Sequence, residues 1–378
     1  MRILQAVGFP RLTRGAALQG WWLAHDLRAR GHEVEIAICS DLAQEDGVPV
    51  HACSMTGVRD LGRMRRLIAD GRFDVVHTHY RDIALRRVLA ASAAVRQRPL
   101  IVAHWGNVYP VSRRRVVPDG WRLGNPGPSF SAWTGVALRS PRVARVVAIS
   151  EAARAVLVQG AGVDPTKIEV IHQGVDPERF HPSVDGSGVR RELGIPPDAQ
   201  VVGMLSAYRW VRDFPTFLDA CELLAAERPD VRFLVAGERT EEAAPDHAHR
   251  TALAGRVVFA GVRTDVPEVL AAMDVVVNCA LLEGLAGSMR EALSLGKPVV
   301  ATRVGGNPEL VVDGETGLLV QPRSPSELAA AIGALLDDPE RAAGLGARGR
   351  ELILEGHTRS ARAARVEALY RAALAERR

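Results

Sequence analysis

Glu283 and Glu291 bracket the turn Gly284-Leu285-Ala286-Gly287 within EGLAGSMREALSLGKPVVATRVGGNPELV, residues 283–311. An amphipathic segment follows, then the apolar run Pro298–Ala301 and the pair Gly305-Gly306. The pattern places a strand over Val275–Asn278 and the start of a helix near Gly287. The N–H groups of Ala286, Gly287 and Ser288 are therefore expected at an open helix end. With glycine-relaxed backbone, such an end is an anion site best suited to phosphate. Glu283 in the turn and Glu291 further along the helix can accept hydrogen bonds from the vicinal hydroxyls of a sugar or ribose. Paired carboxylates also act as acid and base in glycoside hydrolysis, but that chemistry needs no phosphate cradle and ranks below. A bland alternative makes Glu291 a helix residue favoured by the macrodipole and Glu283 a surface loop residue. The spacing alone does not choose between them.

These residues need a frame. Short β-branched runs alternate with longer helix-like segments, the pattern of a parallel α/β sheet. In the first half the expected strands are Ile3–Val7, Val34–Ile38, Asp74–His77, Leu100–Ala103, Val146–Ile149 and Ile168–Ile171. Helices are expected between them over Ala16–Arg30, Val58–Ala69, Ile83–Val95 and Ser150–Gln159, the last opened by Ser150 as half a capping box. The stretch ERFHPSVDGSGVRRELGIPPDAQ (178–200) is rich in Pro, Gly and charge and reads as an interdomain linker. Alternation then restarts with strands at Val201–Leu205, Val231–Ala236, Val257–Ala260, Val275–Asn278, Val299–Ala301 and Gly317–Val320. Helices follow at Pro215–Glu227, Val266–Ala272, Gly287–Leu295 and Pro325–Leu336, then a long helical tail. The fold class is α/β, with two doubly wound Rossmann-like domains facing across a cleft. Residues 107–138 fit neither pattern. This aromatic, Pro/Gly-rich segment carries Arg113, Arg114 and Arg115 and reads equally as a solvated basic loop or as one facing an acceptor or a membrane.

Composition sets bounds. At 378 residues, 47% apolar and 24% charged, the chain is an ordinary globular mixture long enough for two domains. No apolar run approaches the roughly 20 residues of a membrane span. The opening MRILQAVGFPR reads as a buried strand rather than a leader, so a cytoplasmic location is the default. Four scattered cysteines with no CxxC argue against disulfides and structural zinc. A net charge of +4 suits an anionic small ligand or a membrane surface and is too weak for nucleic acid. Only Lys167 and Lys297 are lysines, a skew towards Arg attributed to a GC-rich genome.

The surroundings of the glutamates decide more than their spacing. The segment ARGHEVEIAI (29–38), FDVVHTHY (73–80), VARVVAISEAARAVLVQGAGVDPTKIEVIHQGVDPERFHP (143–182) and the long run 257–320 resemble retaining glycosyltransferases of the GT-B fold, family 4, with their Glu-x7-Glu motif. The resemblance spans nearly the whole chain. It implies an N-terminal acceptor domain over 1–182, a nucleotide-sugar domain over 183–359, and a last helix, about 360–378, packing back on the first domain. By the same resemblance Glu283 holds hydroxyls of the donor sugar, and backbone at Leu285, Ala286, Gly287 and Ser288 meets sugar and diphosphate. Glu291 holds the ribose, and Val262 and Arg263 lie where the nucleobase is read. His104 matches a histidine beside the donor sugar. Arg212 stands where the family has a Lys that neutralises the diphosphate. Ala207 replaces the partner Arg, with Arg209 two residues on as a substitute. Arg14-Gly15 replaces the usual Gly-Gly, leaving Gly15 for the phosphate.

The implied activity is transfer of a sugar from a nucleotide-diphosphate donor, UDP or GDP type, to a hydroxyl acceptor with the anomeric configuration kept. No cofactor or metal is required, and peripheral membrane contact through Arg113, Arg114 and Arg115 is allowed. The runner-up is a non-catalytic partner that has kept the fold and lost turnover, motivated by Ala207 and Arg14. Other constellations are weaker. His77 and His79 share a strand face without an evident third ligand and read as packing. His247 and His249 read as solvent-exposed loop residues. One of Trp21 and Trp22 is expected in the core, with the other available to an acceptor. No GxGxxG follows the first strand and no GxxxxGK[ST] is present, against a dinucleotide oxidoreductase and a P-loop NTPase.

Overall fold

The computed structural model describes residues 1–8, 15–38, 47–53, 58–79, 82–106, 108, 132–243 and 250–377. They divide into two compact units, one running to Gly174 and completed by Arg359 onward, the other Val175–Thr358.

In the first unit seven parallel strands form one sheet: β1 Arg2–Val7, β2 Glu33–Ile38, β3 Val50–Ala52, β4 Val75–His79, β5 Leu100–Trp105, β6 Val143–Ala148 and β7 Ile168–Val170. Their spatial order is β3-β2-β1-β4-β5-β6-β7. The progression of strand order reverses between β1 and β4, the switch point where doubly wound sheets open for ligands. One face is covered by α1 Gly15–Ala29 and by the helix Arg359–Ala375. Ile3, Val7, Val75, Leu100 and Val102 meet Leu23, Ala24 and Leu27 of α1 and Ala363, Val366, Leu369 and Tyr370 of the last helix. That face keeps period-2 alternation, which is why the strands were legible. Of the remaining helices, α2 Val58–Gly71, α3 Asp82–Ser92 and α4 Ala132–Arg139 pack in sequence, α3 lying on β1 and β4.

The second unit has six parallel strands: β8 Val201–Leu205, β9 Arg232–Ala236, β10 Val257–Gly261, β11 Val275–Asn278, β12 Val299–Thr302 and β13 Leu318–Val320. They lie in the order β10-β9-β8-β11-β12-β13, so the switch point falls between β8 and β11. Two doubly wound Rossmann-like units result.

The differences from expectation have physical causes. β3 was missed because it is a three-residue edge strand. Residues 107–138 fitted no pattern, yet α4 begins at Ala132 and buries Thr134, Ala137 and Leu138. The helix expected over Ser150–Gln159 opens as α5 Glu151–Ala155, where Ser150 Oγ accepts from Ala153 N at 3.0 Å, and continues as a π-turn over Val156–Gly160. The stretch 178–200 is folded rather than a linker. Phe180 is buried and its carbonyl accepts from Ser294 Oγ at 2.9 Å. The short helix α6 Ser187–Glu192 buries Val189, and Arg190 reaches Ala272 O and the Asp274 carboxylate, both at 2.9 Å. Those contacts belong to the second unit, so the chain enters it at Val175 instead of after 182. Remaining helices are α7 Phe214–Glu227, α8 Val266–Ala271, α9 Gly287–Ser294, α10 Pro325–Asp337, α11 Pro339–Gly356 and α12 Arg359–Ala375, the expected tail being broken at His357-Thr358.

Candidate active site

The carboxyl ends of β8 and β11 carry the candidate donor residues of the second unit. After β11 the chain must turn sharply towards α9, and buried polar side chains hold it. Thr302 Oγ1 donates to Ala280 O at 2.6 Å, and Asn307 Nδ2 donates to Thr302 O at 2.8 Å. Asn278 Oδ1 accepts from Ala280 N at 3.3 Å and from Asn307 Nδ2 at 3.4 Å. Sequence reasoning missed Asn278, Thr302 and Asn307. Their signal was polar character at the ends of strands that are otherwise apolar. The Gly-Gly pair after β12 closes the turn from above. Gly306 N donates to Glu283 O at 3.0 Å, and a Cβ on Gly305 would sit 1.8 Å from that same oxygen. Gly305 also has φ +52°, so both space and conformation demand glycine.

Glu283 is thereby buried, 7% exposed, with Oε1 accepting from Gly284 N at 3.1 Å. Its Oε2 is ion-paired with Arg212 Nη1. A short 3₁₀ turn, Trp210–Arg212, delivers Arg212 from β8. Asp213 follows in the left-handed region, φ +47°, with its carboxylate accepting from Thr216 Oγ1 at 2.7 Å. Cys279 Sγ lies 3.2 Å from Arg212 O, tying the two loops together.

Behind Glu283, α9 starts at Gly287 with Ala286 at the N-cap and no side chain capping it. Leu285 and Ala286 are buried, while Gly287 and Ser288 are partly exposed. The first-turn N–H groups of a helix carry its positive dipole end and have no partner inside the helix. Glu291 sits one turn in, partly buried. Burial pushes its carboxyl pKa up, opposed by Arg290 and Arg179.

Val262, after β10, is 72% exposed. Arg263 is not available as a free cation, because it is paired with both Glu192 and Asp265. The Arg209 side chain is about half exposed, 3.8 Å from Glu238. Ala207 brings no charge to the β8 end, and Arg212 and Arg209 are the cations placed there.

In the first unit Gly15 opens α1. Arg14, Arg113, Arg114, Arg115, His247 and His249 lie outside the described residues. His104, at the end of β5, is buried at 2% exposure. It pairs in register with His79, and the His77–His104 rings stack with centroids 5.4 Å apart. His77 and His79 therefore do have a third imidazole beside them, which register between β4 and β5 supplies and spacing within one strand could not reveal. Ligand-capable atoms of the three lie within 4.8 Å of one another, the spacing of a metal triad. Two of the rings are already held: His77 Nδ1 is 2.5 Å from Tyr370 Oη and His79 Nε2 is 2.5 Å from Gln5 Oε1. The buried Arg362 guanidinium, donating to Gln19 O and Oε1, faces the same layer. Burial first, and Arg362 second, depress His77 to about 3, and burial holds His79 and His104 well below the usual histidine range. A positive ion would face the same guanidinium, so a hydrogen-bonded neutral layer fits better than a metal centre. Trp21 packs on the core, and Trp22 lies 5.5 Å beneath the Arg359 guanidinium, a contact that joins α1 to α12.

Residues 15–179 match the family model for Glycosyltransferase Family 4, and residues 197–338 match that for Glycosyl transferases group 1. The chain belongs to the family 4, group 1 glycosyltransferases. It is 34% identical over 188 residues to the lipopolysaccharide core biosynthesis mannosyltransferase LpsB of Rhizobium meliloti, 48% of this chain and 54% of that protein. It is 28% identical over 355 residues to a D-inositol 3-phosphate glycosyltransferase of Streptomyces scabiei, 90% of this chain and 76% of that protein. The first three such relatives are matched over only about half their length, 54%, 50% and 47%. In structure the chain is similar to Anabaena Alr3699/HepE, solved with UDP-glucose, at TM-score 0.80 and 24% identity over 98% of this chain and all of that one. It is also similar to WaaG, a glycosyltransferase involved in lipopolysaccharide biosynthesis, at TM-score 0.73 and 16% identity over 97% of this chain and 99% of that one. These likenesses establish the GT-B fold of the two Rossmann-like units.

Proposed function

We propose that this family 4 member is a retaining glycosyltransferase that moves a sugar from a nucleotide-diphosphate donor to a hydroxyl acceptor. The observation that carries the reading is the uncapped N-terminus of α9 between Glu283 and Glu291, at the switch point of the second sheet. The diphosphate would lie on the first-turn N–H groups, with Glu291 on the ribose and Glu283 on sugar hydroxyls. Arg212, now paired with Glu283, would exchange that carboxylate for the leaving phosphate as charge develops there. Arg209 would add to it in place of the cation absent at Ala207. With Arg263 held by Glu192 and Asp265, the base would be read through backbone near Val262. Attack and departure on one face, with the leaving phosphate taking the acceptor proton, would keep the anomeric configuration and need no metal. The uridine nucleotides bound by the Anabaena protein support a UDP donor. A cytoplasmic location belongs to the same proposal.

A second reading, a binding-only protein, is favoured by Ala207 and by Arg14. Calorimetric titration with UDP, GDP, ADP and TDP, repeated on Glu291→Ala, separates them. Binding of one nucleotide that weakens at least tenfold in the variant, followed by transfer from one of its sugars, supports the enzyme. Binding without any transfer supports the second reading. Failure of all four nucleotides to bind would refute the donor site.

A further inference from the structure

Arg290 lies in α9, three residues after Gly287, and is one of the two largest fully buried side chains among the described residues, 2% exposed. A cation there is costly in two ways. Burial strips it of water, and the start of a helix is the positive end of its dipole, where cations are disfavoured. Long side chains on a helix lean back over the preceding turn. Arg290 does so, and its Nη2 comes to 3.9 Å from the point that a Cβ on Gly287 would occupy. The guanidinium tip therefore meets the helix end at the residue that opens the first turn, where Gly287 and Ser288 are partly exposed. Glu291 offsets part of the cost, since Arg290 opposes the upward push of burial on its carboxyl. Consecutive helix residues do not face each other, however, so that carboxylate is not what draws the tip towards Gly287.

We infer that Arg290 is a diphosphate-binding cation, delivered from inside α9 to the phosphate that carries the sugar, in a site where Ala207 brings no charge. Resting on the donor reading above, this assignment adds a residue to that site. A bound diphosphate supplies the negative charge that reverses both costs, joining the first-turn N–H groups to a charge-assisted contact. Arg212 reaches the same phosphate only by leaving Glu283. Arg290 needs no such exchange, because its tip already lies at the end of the helix. A cation kept for a ligand at the expense of the fold has a signature. Replaced by an apolar side chain of similar length, it leaves a fold at least as stable and a poorer diphosphate site. A cation kept for the fold predicts the reverse.

The test compares the full wild-type chain with Arg290→Met and Arg290→Lys. Each is titrated calorimetrically with UDP, GDP, ADP and TDP, and with the monophosphate of whichever nucleotide the wild type binds. Losing a hydrogen bond to a charged group should cost Arg290→Met about 10- to 100-fold in diphosphate affinity. Its monophosphate affinity should fall far less, so the ratio between the two narrows. Arg290→Lys keeps the charge and should recover most of that ratio. Without ligand, Arg290→Met should unfold at or above the wild-type temperature. Equal losses on monophosphate and diphosphate, as expected if Arg290 acted only through Glu291 on the ribose, would overturn the assignment. So would a melting temperature that falls along with both affinities, or a Lys variant no better than the Met variant. A wild type that binds none of the four nucleotides refutes the donor reading and this inference with it. Wild-type binding beside an unchanged ratio in Arg290→Met sinks this inference alone.

Discussion

At the scale of single residues, a buried Glu283 is held by a partly exposed Arg212. Arg212→Ala removes the cation proposed to meet the leaving phosphate and leaves Glu283 uncompensated. Turnover is expected to fall by roughly 10²–10³-fold, with nucleotide affinity reduced less; steady-state kinetics beside titration checks the split. The imidazole layer makes a second prediction. Folding holds His77, His79 and His104 neutral, with His77 depressed to about 3. The unfolded chain, titrating near 6.5, binds more protons below that pH. The stability the layer contributes is therefore full above pH 6.5 and drains away as the pH falls towards 3. The slope is up to roughly 1.4 kcal/mol per pH unit for each imidazole. Denaturant unfolding at pH 7, 6, 5 and 4 reads this, and Tyr370→Phe tests whether the hydrogen bond to His77 matters to it. The strand over Val275–Asn278 and the helix start at Gly287 that place the glutamates were legible from local pattern, while the roles given to the glutamates rested on the resemblance. The clustering of His104 with His77 and His79 was not legible, because it depends on the β4–β5 register.

Elements carry the next prediction. The turn before α9 exists because Gly305 and Gly306 let β12's exit loop press on the Glu283 carbonyl. Gly305→Ala meets that oxygen and requires φ +52° of a residue with a Cβ. A loss of at least ~2 kcal/mol is expected, together with loss of donor binding. A chevron or equilibrium melt beside calorimetry checks both. Strands and long helices were readable from periodicity because burial enforces it. α4 and α6 were not, for each is short and flanked by Pro, Gly and charge, where a buried Val189 or Leu138 is too small a signal. The Pro/Gly-rich stretch 178–200 misled for the same reason: its order comes from Ser294, Asp274 and Ala272, residues distant in sequence.

For the whole molecule, two compact units, each with an apolar cluster of its own, predict two unfolding events. A nucleotide held in the second unit should shift only one of them, by about 2.7 kcal/mol at a hundred times its Kd. Scanning calorimetry with and without UDP would show a paired shift if the two unfold together.

The crossing of α12 into the first core has a consequence for how the chain is made. Val366, Leu369 and Tyr370 are buried among β1, β4 and α1. At ~1.5–3 kcal/mol for each large apolar side chain, they match much of the 5–15 kcal/mol that keeps a domain folded. During vectorial synthesis the first half emerges long before those residues do, so it must wait, part-built and sticky, while the second half folds. Translation order and folding order are thus reversed. Deleting Arg359 onward should leave ribosome-released chains that fold in the later unit and aggregate through the earlier one, as pulse-labelled proteolysis would report.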